Sequence, residues 1–225
     1  MISVLLATHN DERYIKSSLS SVLNQSLVNL EVLVGFNGTV DNSKAVVQEF
    51  NDERVRIFDF GTESGKSKTL NRLLEYSKGN WIAIQDGDDI WLPDKLAKQS
   101  RYFENTDVIG TFIHYIDEYG NIIGKPALHS SHEEIVLRCR EGDNQVANST
   151  AIFRRSIALQ AGGWDAEKEG VEDYDFWLRL IDMKCKFFNL PEYCVLHRLH
   201  NCSNFNSRQL RLNPITRKMF VENAD

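Results

Sequence analysis

The chain has 225 residues, a length that supports one domain with a sizeable hydrophobic core. Hydrophobic residues make up 42% of it and charged residues 26%, which is typical of globular proteins. The formal net charge of −6 argues against a general nucleic-acid binder, because such proteins present a basic surface. The four cysteines include no CxxC pair, so a zinc knuckle is disfavoured and reduced thiols are expected.

The sequence carries no signal for export or membrane insertion. No apolar run approaches the ~20 residues that span a bilayer. The opening MISVLLATHNDERY lacks a basic region, and its apolar run is shorter than that of a secretion signal. We therefore expect a cytoplasmic location.

The first half of the chain alternates strands with helices. Four segments are predicted strands: ISVLLAT, LEVLVGF, RVRIFDF and NWIAIQD. The stretches between them show apolar residues at helical spacing or residues that cap helices. This alternation predicts right-handed crossovers and a mainly parallel sheet. In such sheets ligands bind beyond the carboxyl ends of the strands.

The second half is organised differently. DVIGTFIHYIDEYGNIIGKP is typical of a hairpin with its turn at Tyr119–Asn121, and VEDYDFWLRLIDM is typical of a helix. Three further segments are predicted strands: ANSTAIFRRS, KFFNLP and CVLHRLH. From about residue 206 the sequence is polar and basic, which indicates a loosely held tail. We expect a single domain with two subregions that meet near residue 105.

An acidic cluster follows the fourth predicted strand. Asp86, Asp88 and Asp89 come directly after the apolar stretch WIAIQ. A solvated turn would account for these carboxylates, but a hard divalent cation also prefers carboxylate oxygens. Such an ion would let a diphosphate approach an acidic protein. The spacing excludes an EF-hand.

The segment GTESGKS is a glycine-containing loop that opens a predicted helix. Only three residues separate Gly61 from Gly65, whereas the P-loop pattern needs four. An ordinary loop and helix start is therefore the better interpretation. Lys66 or Lys68 would then lie near an anion.

A second acidic cluster, Glu172, Asp173 and Asp175, lies at the start of a predicted helix. Carboxylates there are stabilised by the helix dipole, and one of them could instead serve as a general base. Near residue 200, the histidine pair His197 and His200 is weak evidence for a metal site. We interpret His129 and His132 as surface residues, and Arg198 as a candidate phosphate partner.

In this order, four stretches resemble the family 2 glycosyltransferases over nearly the whole chain. They are the opening VLLATHNDERYIKSSLSSVLNQSLVNLEVLV, then DGDD, which matches the family's Asp-x-Asp motif, then GGWD with EDYDFWLRL, and finally LHRLHNCS. The resemblance implies an α/β protein with the GT-A fold, in which helices flank a Rossmann-like, mainly parallel sheet beside a smaller mixed acceptor-side region. Residues 1–105 would form the nucleotide-sugar-binding half, 106–205 the acceptor and catalytic half, and 206–225 a tail.

The resemblance also implies roles for individual residues in an inverting, metal-dependent transfer. Asp173 matches the catalytic base, Asp88 the ligand of Mn²⁺ or Mg²⁺, and His200 completes the metal site. Other positions match contacts to the nucleotide-sugar: Ala7, Thr8, Asn10, Asn37, Lys68, Asp86, Gly87 and Arg198.

The implied donor is a nucleotide-diphospho-sugar, with a UDP-sugar favoured. The acceptor would be a glycan, a lipid-linked glycan or a protein in glycan or polysaccharide biosynthesis, and a peripheral place at a membrane would suit a lipid-linked acceptor. No nucleic-acid partner is expected.

One departure from the family keeps two alternatives open. Phe36 and Asn37 replace the usual acidic pair after the second strand, while Gly38 and Asp41 keep their places. An asparagine still offers a donor and an acceptor to a base. Because the acidic pair is lost, one alternative is a non-catalytic relative that binds sugar or protein. The other is a phosphohydrolase with Asp86 as its nucleophile.

Overall fold

The computed structural model describes residues 1–61 and 65–200, which form a nine-stranded sheet with helices on both sides. The strands are β1 (Ile2–Thr8), β2 (Leu30–Phe36), β3 (Val55–Asp59), β4 (Trp81–Asp86), β5 (Ile90–Trp91), β6 (Val108–Ile116), β7 (Ile122–Gly124), β8 (Ile152–Arg154) and β9 (Phe187–Arg198). The helices are α1 (Ile15–Leu23), α2 (Ser43–Gln48), α3 (Gly65–Tyr76), α4 (Lys95–Ser100), α5 (His132–Arg140), α6 (Arg155–Gln160) and α7 (Glu172–Asp182). Short 3-10 turns cover Asn148–Thr150 and Ala166–Lys168.

The sheet is parallel in its first half and mixed in its second. Its strand order is β3-β2-β1-β4-β8-β6-β9-β5, with β7 paired to β6. The first four strands are parallel, as the strand and helix alternation predicts. Beyond them β8 is antiparallel to β4 and to β6, whereas β9 is parallel to β6. Because Ala7 pairs with both Gly35 and Asp86, the carboxyl ends of β1, β2 and β4 meet at one edge.

Successive side chains of the central strands point to opposite faces of the sheet, and they pack into two separate hydrophobic cores. One face packs against α3 and α7 through Leu5, Leu33, Ile82, Ile84, Leu70, Leu73 and Trp177. The other packs against α1 through Val4, Leu6, Val32, Val34, Ala83, Ile15, Leu19 and Val22. Helix α3 lies so close to β2 that a Cβ on Gly35 would be 2.7 Å from the Thr69 methyl carbon. This close approach positions the start of α3 beside the carboxyl end of β4.

Three of the strand predictions in the second half were wrong in extent. ANSTAIFRRS is a 3-10 turn, the three-residue strand β8 between β4 and β6, and the start of α6. KFFNLP and CVLHRLH form one continuous strand, β9, which passes through Pro191. The pairing of β9 with β6 shifts register near Thr111 and Phe112, which accommodates the proline.

Helix α5 was not predicted, and the surface interpretation of His129 and His132 was wrong. The Ser131 hydroxyl accepts the Glu134 N–H and caps this helix. His132 opens the helix half-buried, and its Nδ1 accepts the Phe187 N–H at 3.2 Å. His129 is also half-buried, with Nδ1 2.9 Å from Oε1 of Gln145. The His132 imidazole therefore belongs to the packing of α5 against β9, whereas the His129 imidazole contacts the chain that follows α5.

Three of the four cysteines lie within the described residues. Cys139, Cys185 and Cys194 are free and buried, whereas Cys202 lies outside the described residues. Among the helices of residues 1–61 and 65–200, none has the length and apolar character needed to cross a membrane. The predicted tail, 206–225, also lies outside the described residues.

A fully buried lysine in α4 contacts an aromatic ring and a side-chain amide. Lys95 Nζ lies 3.8 Å from the ring centre of Trp91 and 3.1 Å from Oε1 of Gln99. Burial disfavours the ammonium form and lowers the pKa of Lys95 to about 7. Between about pH 7 and the unfolded-chain pKa of ~10.4, the unfolded state binds more protons, so stability rises with pH.

We therefore expect Lys95→Met to raise the melting temperature, because it replaces a buried amine by an apolar side chain of similar shape. The gain should be on the order of 5 °C at pH 6. It should be smaller at pH 9, because the pH is then closer to the unfolded-chain pKa and keeping Lys95 neutral in the folded wild type costs less free energy. Thermal unfolding at both pH values measures it. Lys98→Met, a less buried change in the same helix, is the control, and an equal response of both variants would contradict the expectation.

Candidate active site

The acidic cluster lies where β1 and β4 end, as the sequence predicts for a parallel sheet. Asp86 is the last residue of β4, and Asp88 and Asp89 form the turn that leads to β5. Asp86 and Asp89 share a contact with Ser149, but the other partners of the three carboxylates differ, and so does their chemistry.

Asp86 is held as a carboxylate by a lysine and by two side chains from one turn. Lys66 Nζ lies 2.8 Å from Oδ1, and the Ser149 hydroxyl donates to Oδ2 at 2.9 Å. Asn148 Nδ2 lies 3.1 and 3.2 Å from the two oxygens. Burial opposes ionisation, but Lys66 and these donors outweigh it and hold the pKa of Asp86 below its usual range.

Asp89 is fully buried and fastens the end of β9 to the acidic turn. It accepts a hydrogen bond from the Arg198 N–H at 2.8 Å, and its Oδ2 also contacts the Ser149 hydroxyl, whose single proton is shared with Asp86. His197 Nδ1 lies 2.9 Å from its Oδ2. Burial disfavours charge on His197, but Asp89 outweighs it and raises the pKa of His197 to about 9. His197 and Asp89 thus form a buried hydrogen-bonded pair that brings the residues after β9 to the site.

Asp88 and His200 form the pair that could hold a metal ion. His200 Nε2 lies 2.9 Å from Asp88 Oδ2, and the two side chains are 13% and 18% exposed. Neighbouring ligands of an octahedral ion at ~2.1 Å are separated by about 3 Å, so this spacing suits two ligands of one ion. Within residues 1–61 and 65–200 no cluster of three His, Cys, Asp or Glu side chains could hold a metal. The pair therefore fits a site in which the substrate and water supply the other ligands.

Asp173 and Glu172 open α7 and have different surroundings. Asp173 is partly buried, and its oxygens accept from Asn144 Nδ2 at 3.1 Å and from the Tyr174 N–H at 2.7 Å. Burial, and then the charge of Glu172, raise the pKa of Asp173 to about 6. Glu172 is buried, and its carboxylate accepts the Gly170 N–H. The pKa of Asp173 suits proton transfer near neutral pH.

Lys66 connects the two acidic clusters. Its Nζ is 2.8 Å from Asp86 and 3.6 Å from Glu172. Burial opposes its charge, but Asp86 and Glu172 outweigh this effect and raise the pKa of Lys66 above its ordinary value. Lys68, which the sequence analysis favoured for a nucleotide contact, is exposed. Residues two apart on a helix point to opposite sides, so only one of these lysines can face the carboxylates.

The loops after β1 and β2 are tied together beside the acidic turn. The Asn37 N–H donates to the Thr8 carbonyl at 3.1 Å, and His9 Nδ1 lies 2.5 Å from the Asn37 carbonyl oxygen. Asn10 has a φ of 56°, and its Oδ1 accepts the Val40 N–H at 2.9 Å. Ala7, Thr8, Asn10 and Asn37 thus line one edge of the sheet, as their predicted role requires.

Asp11 is a member of the site that the sequence analysis missed. Its Oδ2 accepts the Thr8 hydroxyl at 2.7 Å and would lie 2.3 Å from a Cβ on Gly87. A side chain at position 87 would therefore have to displace the Asp11 carboxylate. Burial, followed by the charge of Asp88, raises the pKa of Asp11 to about 6.

Arg198 lies in the site, but several of its guanidinium N–H groups already donate hydrogen bonds to main-chain oxygens. Its Nε donates to the Asp88 carbonyl at 2.9 Å, and Nη1 donates to the carbonyls of Asp117 and Glu118 at 2.9 and 3.2 Å. The guanidinium also lies 4.6 Å from the ring centre of Tyr14. Arg198 thereby holds the β6–β7 turn against the acidic turn, and its contact to a phosphate stays a prediction.

Comparisons with known proteins agree with this architecture. Residues 3–160 match the family Glycosyl transferase family 2. An O-antigen biosynthesis glycosyltransferase, WbnJ of Escherichia coli, is 32% identical over 92% of this chain and 83% of its own length. Another E. coli relative, WfgD, named a UDP-Glc:alpha-D-GlcNAc-diphosphoundecaprenol beta-1,3-glucosyltransferase, is 28% identical over 90% of this chain and 79% of its own.

Solved structures share the fold at low sequence identity. The mannosyltransferase PcManGT of Pyrobaculum calidifontis, solved with GDP-Man and Mn²⁺, superposes with a TM-score of 0.71 at 17% identity. The match covers 92% of this chain but only 59% of that one, so the chain spans less than two thirds of its length. The predicted α/β fold is thereby confirmed. The chain belongs to glycosyl transferase family 2 and is a glycosyltransferase with the GT-A fold.

Proposed function

We propose that the chain is an inverting, metal-dependent glycosyltransferase that moves a sugar from a nucleotide-diphospho-sugar to an acceptor hydroxyl. The observation that carries the proposal is that Lys66 Nζ lies 2.8 Å from Asp86 and 3.6 Å from Glu172, the neighbour of Asp173, so that the carboxyl groups of Asp86 and Asp173 belong to one site. One carboxyl group has a pKa suited to accept a proton, and the other is held ionised at the strand edge where α/β proteins bind nucleotides.

In the transfer step Asp173 takes the proton of the acceptor hydroxyl while that oxygen attacks the anomeric carbon. The bond from this carbon to the diphosphate oxygen breaks on the opposite face, so the configuration inverts. Asp173 with a pKa of about 6 is ionised at neutral pH and remains basic enough to assist. A divalent ion held by Asp88 and His200 would, when bound, neutralise charge on the leaving diphosphate.

The donor half of the site supports a nucleotide ligand. Ala7, Thr8, Asn10 and Asn37 are proposed to face the nucleoside, with Asp86 and Gly87 beside the ribose. Asn37 keeps a donor and an acceptor for the base, although the family usually has an acid there. A UDP-sugar donor and a lipid-linked acceptor are favoured because WfgD is named for both. The pathway would then be polysaccharide or lipid-linked glycan biosynthesis.

The phosphohydrolase alternative has less support. A nucleophilic carboxylate needs an oxygen free to attack phosphorus. Both oxygens of Asp86 instead accept hydrogen bonds, from Asn148 and Ser149, and Lys66 pairs with one of them. A non-catalytic binding protein would bind nucleotide without turning over the sugar, so an assay of transfer and donor hydrolysis with Mn²⁺ separates it from the enzyme.

Asp88→Ala tests the metal site. We expect the variant to bind UDP with Mn²⁺ at least roughly 100-fold more weakly than the wild type, because one of two protein ligands is lost. Binding without Mn²⁺ should be unchanged. Isothermal calorimetry with and without the ion measures both affinities. Asp94→Ala, an exposed carboxylate eight residues after Asp86, is the control, and Mn²⁺-dependent binding that survives in Asp88→Ala would remove the assignment.

A further inference from the structure

One short segment contacts both carboxylates on which the proposed reaction depends. We name residues 144–149, which connect α5 to β8 through a 3-10 turn, the bridging segment. At its start, Asn144 Nδ2 donates to Asp173 Oδ2 at 3.1 Å. At its end, Asn148 and Ser149 donate to Asp86. The acceptor-side and donor-side carboxylates are therefore held by six consecutive residues.

The bridging segment is fixed by side chains from three other elements. Trp177 Nε1 of α7 donates to the Val146 carbonyl at 3.0 Å, and Trp91 Nε1 of β5 donates to the Ser149 carbonyl at 2.7 Å. Asn189 Nδ2 of β9 donates to the Gln145 carbonyl at 2.7 Å. Each bond acts on the main chain, so the path of the segment is set independently of Asn144, Asn148 and Ser149.

The orientation of the Asn144 amide is also determined. Its Oδ1 accepts the Val146 N–H at 3.1 Å, which turns its NH₂ group toward Asp173. The other Asp173 oxygen accepts the Tyr174 N–H. Asp173 thus has one oxygen fixed from its own helix and one from the bridging segment. A hydrogen bond donated to a carboxylate favours the ionised form that a base requires.

We propose that Asn144 is a positioning residue for the base Asp173, and that the bridging segment keeps this base in register with Asp86 of the donor site. The inference rests on the proposed function, since it assumes that Asp173 takes the acceptor proton. It assigns Asn144 no contact with substrate.

The pKa of Asp173 depends on the charged and titratable groups around it as well as on Asn144. Glu172 of α7 and Asp86 of β4 raise the pKa of Asp173, and Lys66 of α3 lowers it. The Cys139 thiol of α5 interacts with the same carboxylate. Asn144 is neutral, so its truncation removes one hydrogen bond and one orientation while every charge stays in place.

The experiment compares Asn144→Ala and Asn144→Asp through kcat, donor affinity and the pH dependence of kcat. Asn144→Ala should lower kcat by about 10-fold, the value of one hydrogen bond to a charged group, with unchanged calorimetric affinity for UDP and Mn²⁺. Its acid limb should move to higher pH. Asn144→Asp keeps an acceptor for the Val146 N–H but places a carboxylate against Asp173. It should raise the acid limb by about one pH unit or more.

The controls separate this inference from the proposed function. Glu141→Gln changes an exposed residue of the same loop and should retain wild-type kinetics. A wild-type kcat and acid limb in both Asn144 variants, with Asp173→Asn inactive, would overturn the positioning role while the base stands. Wild-type transfer by Asp173→Asn would instead overturn the base itself. A loss of donor affinity equal to the loss of kcat would show that Asn144 is only structural.

Discussion

Asp173→Asn is expected to reduce transfer by roughly 10²–10⁴-fold or more, the usual contribution of general-base assistance. The amide has nearly the shape of the carboxyl but cannot accept the proton of the acceptor hydroxyl at neutral pH. Because Asp173 makes no proposed contact with the nucleotide, the affinity for UDP and Mn²⁺ should be retained. The measurement is kcat with the true acceptor, set beside calorimetric donor affinity.

Glu172→Gln is the matched control, since it makes the same chemical change at the adjacent residue. Glu172 already accepts the Gly170 N–H and lies 3.6 Å from Lys66, so its carboxylate is committed to the fold. We expect a milder loss of kcat. Near wild-type transfer by Asp173→Asn with an inactive Glu172→Gln would show that the wrong carboxylate was chosen. If neither change matters, the single-displacement mechanism has to be abandoned.

The pH dependence of the wild type gives a further check on the same residue. The base must be ionised, and the pKa of Asp173 is raised to about 6 by burial and by Glu172. The rate constant kcat should therefore fall as the pH drops through about 6, well above the ordinary range of an aspartate. Asp173→Asn should lack this acid limb in its residual activity.

The parallel half of the fold follows from local pattern, and the mixed half does not. Strands β1 to β4 are apolar runs separated by helices or helix-capping residues. The alternation of strands and helices, with the right-handed crossover rule, is enough to predict that the polar residues at their carboxyl ends lie along one edge of the sheet. β8 has only three residues, and its pairing with both β4 and β6 depends on tertiary contacts. A continuous β9 through Pro191 likewise depends on a register shift that no local pattern indicates.

The candidate site divides in the same way. Asp86, Asp88 and Asp173 stand at element ends with a motif around them, and the sequence analysis singled them out. Asn144 and Ser149 lie in DNQVANST, a polar stretch with no spacing that predicts a function. Their role arises because the chain returns to β4 at this point and the helix α7 comes to lie beside it. Such contacts are fixed by topology rather than by residue pattern.

Lys66→Met is expected to lower the free energy of unfolding by about 3–5 kcal/mol at pH 7, the range for removing one partner of a buried ion pair. Lys66 is 21% exposed at its side chain, and its partners Asp86 and Glu172 are 17% and 9% exposed. Methionine fills much the same volume, so the loss is that of the charge rather than of packing. Two carboxylates then remain poorly solvated and without their cation.

The pH dependence of this loss identifies its cause. In the wild type the pKa of Asp86 lies below its usual range, so this carboxylate stabilises the fold above its unfolded pKa and less as the pH falls. Without Lys66, the carboxylates of the folded variant take up protons at higher pH, and protonation relieves the uncompensated charge. The difference between variant and wild type should therefore be largest near pH 7 and smaller near pH 5.

Urea unfolding at the two pH values measures the effect, and Lys68→Met provides the control. Lys68 is in the same helix but exposed, so its replacement should change the free energy of unfolding by no more than about 0.5 kcal/mol at either pH. Equal behaviour of the two variants would contradict the role of Lys66 as the cation between the acidic clusters. A loss at Lys66 that did not vary with pH would point to packing, because only ionised carboxylates need the lysine.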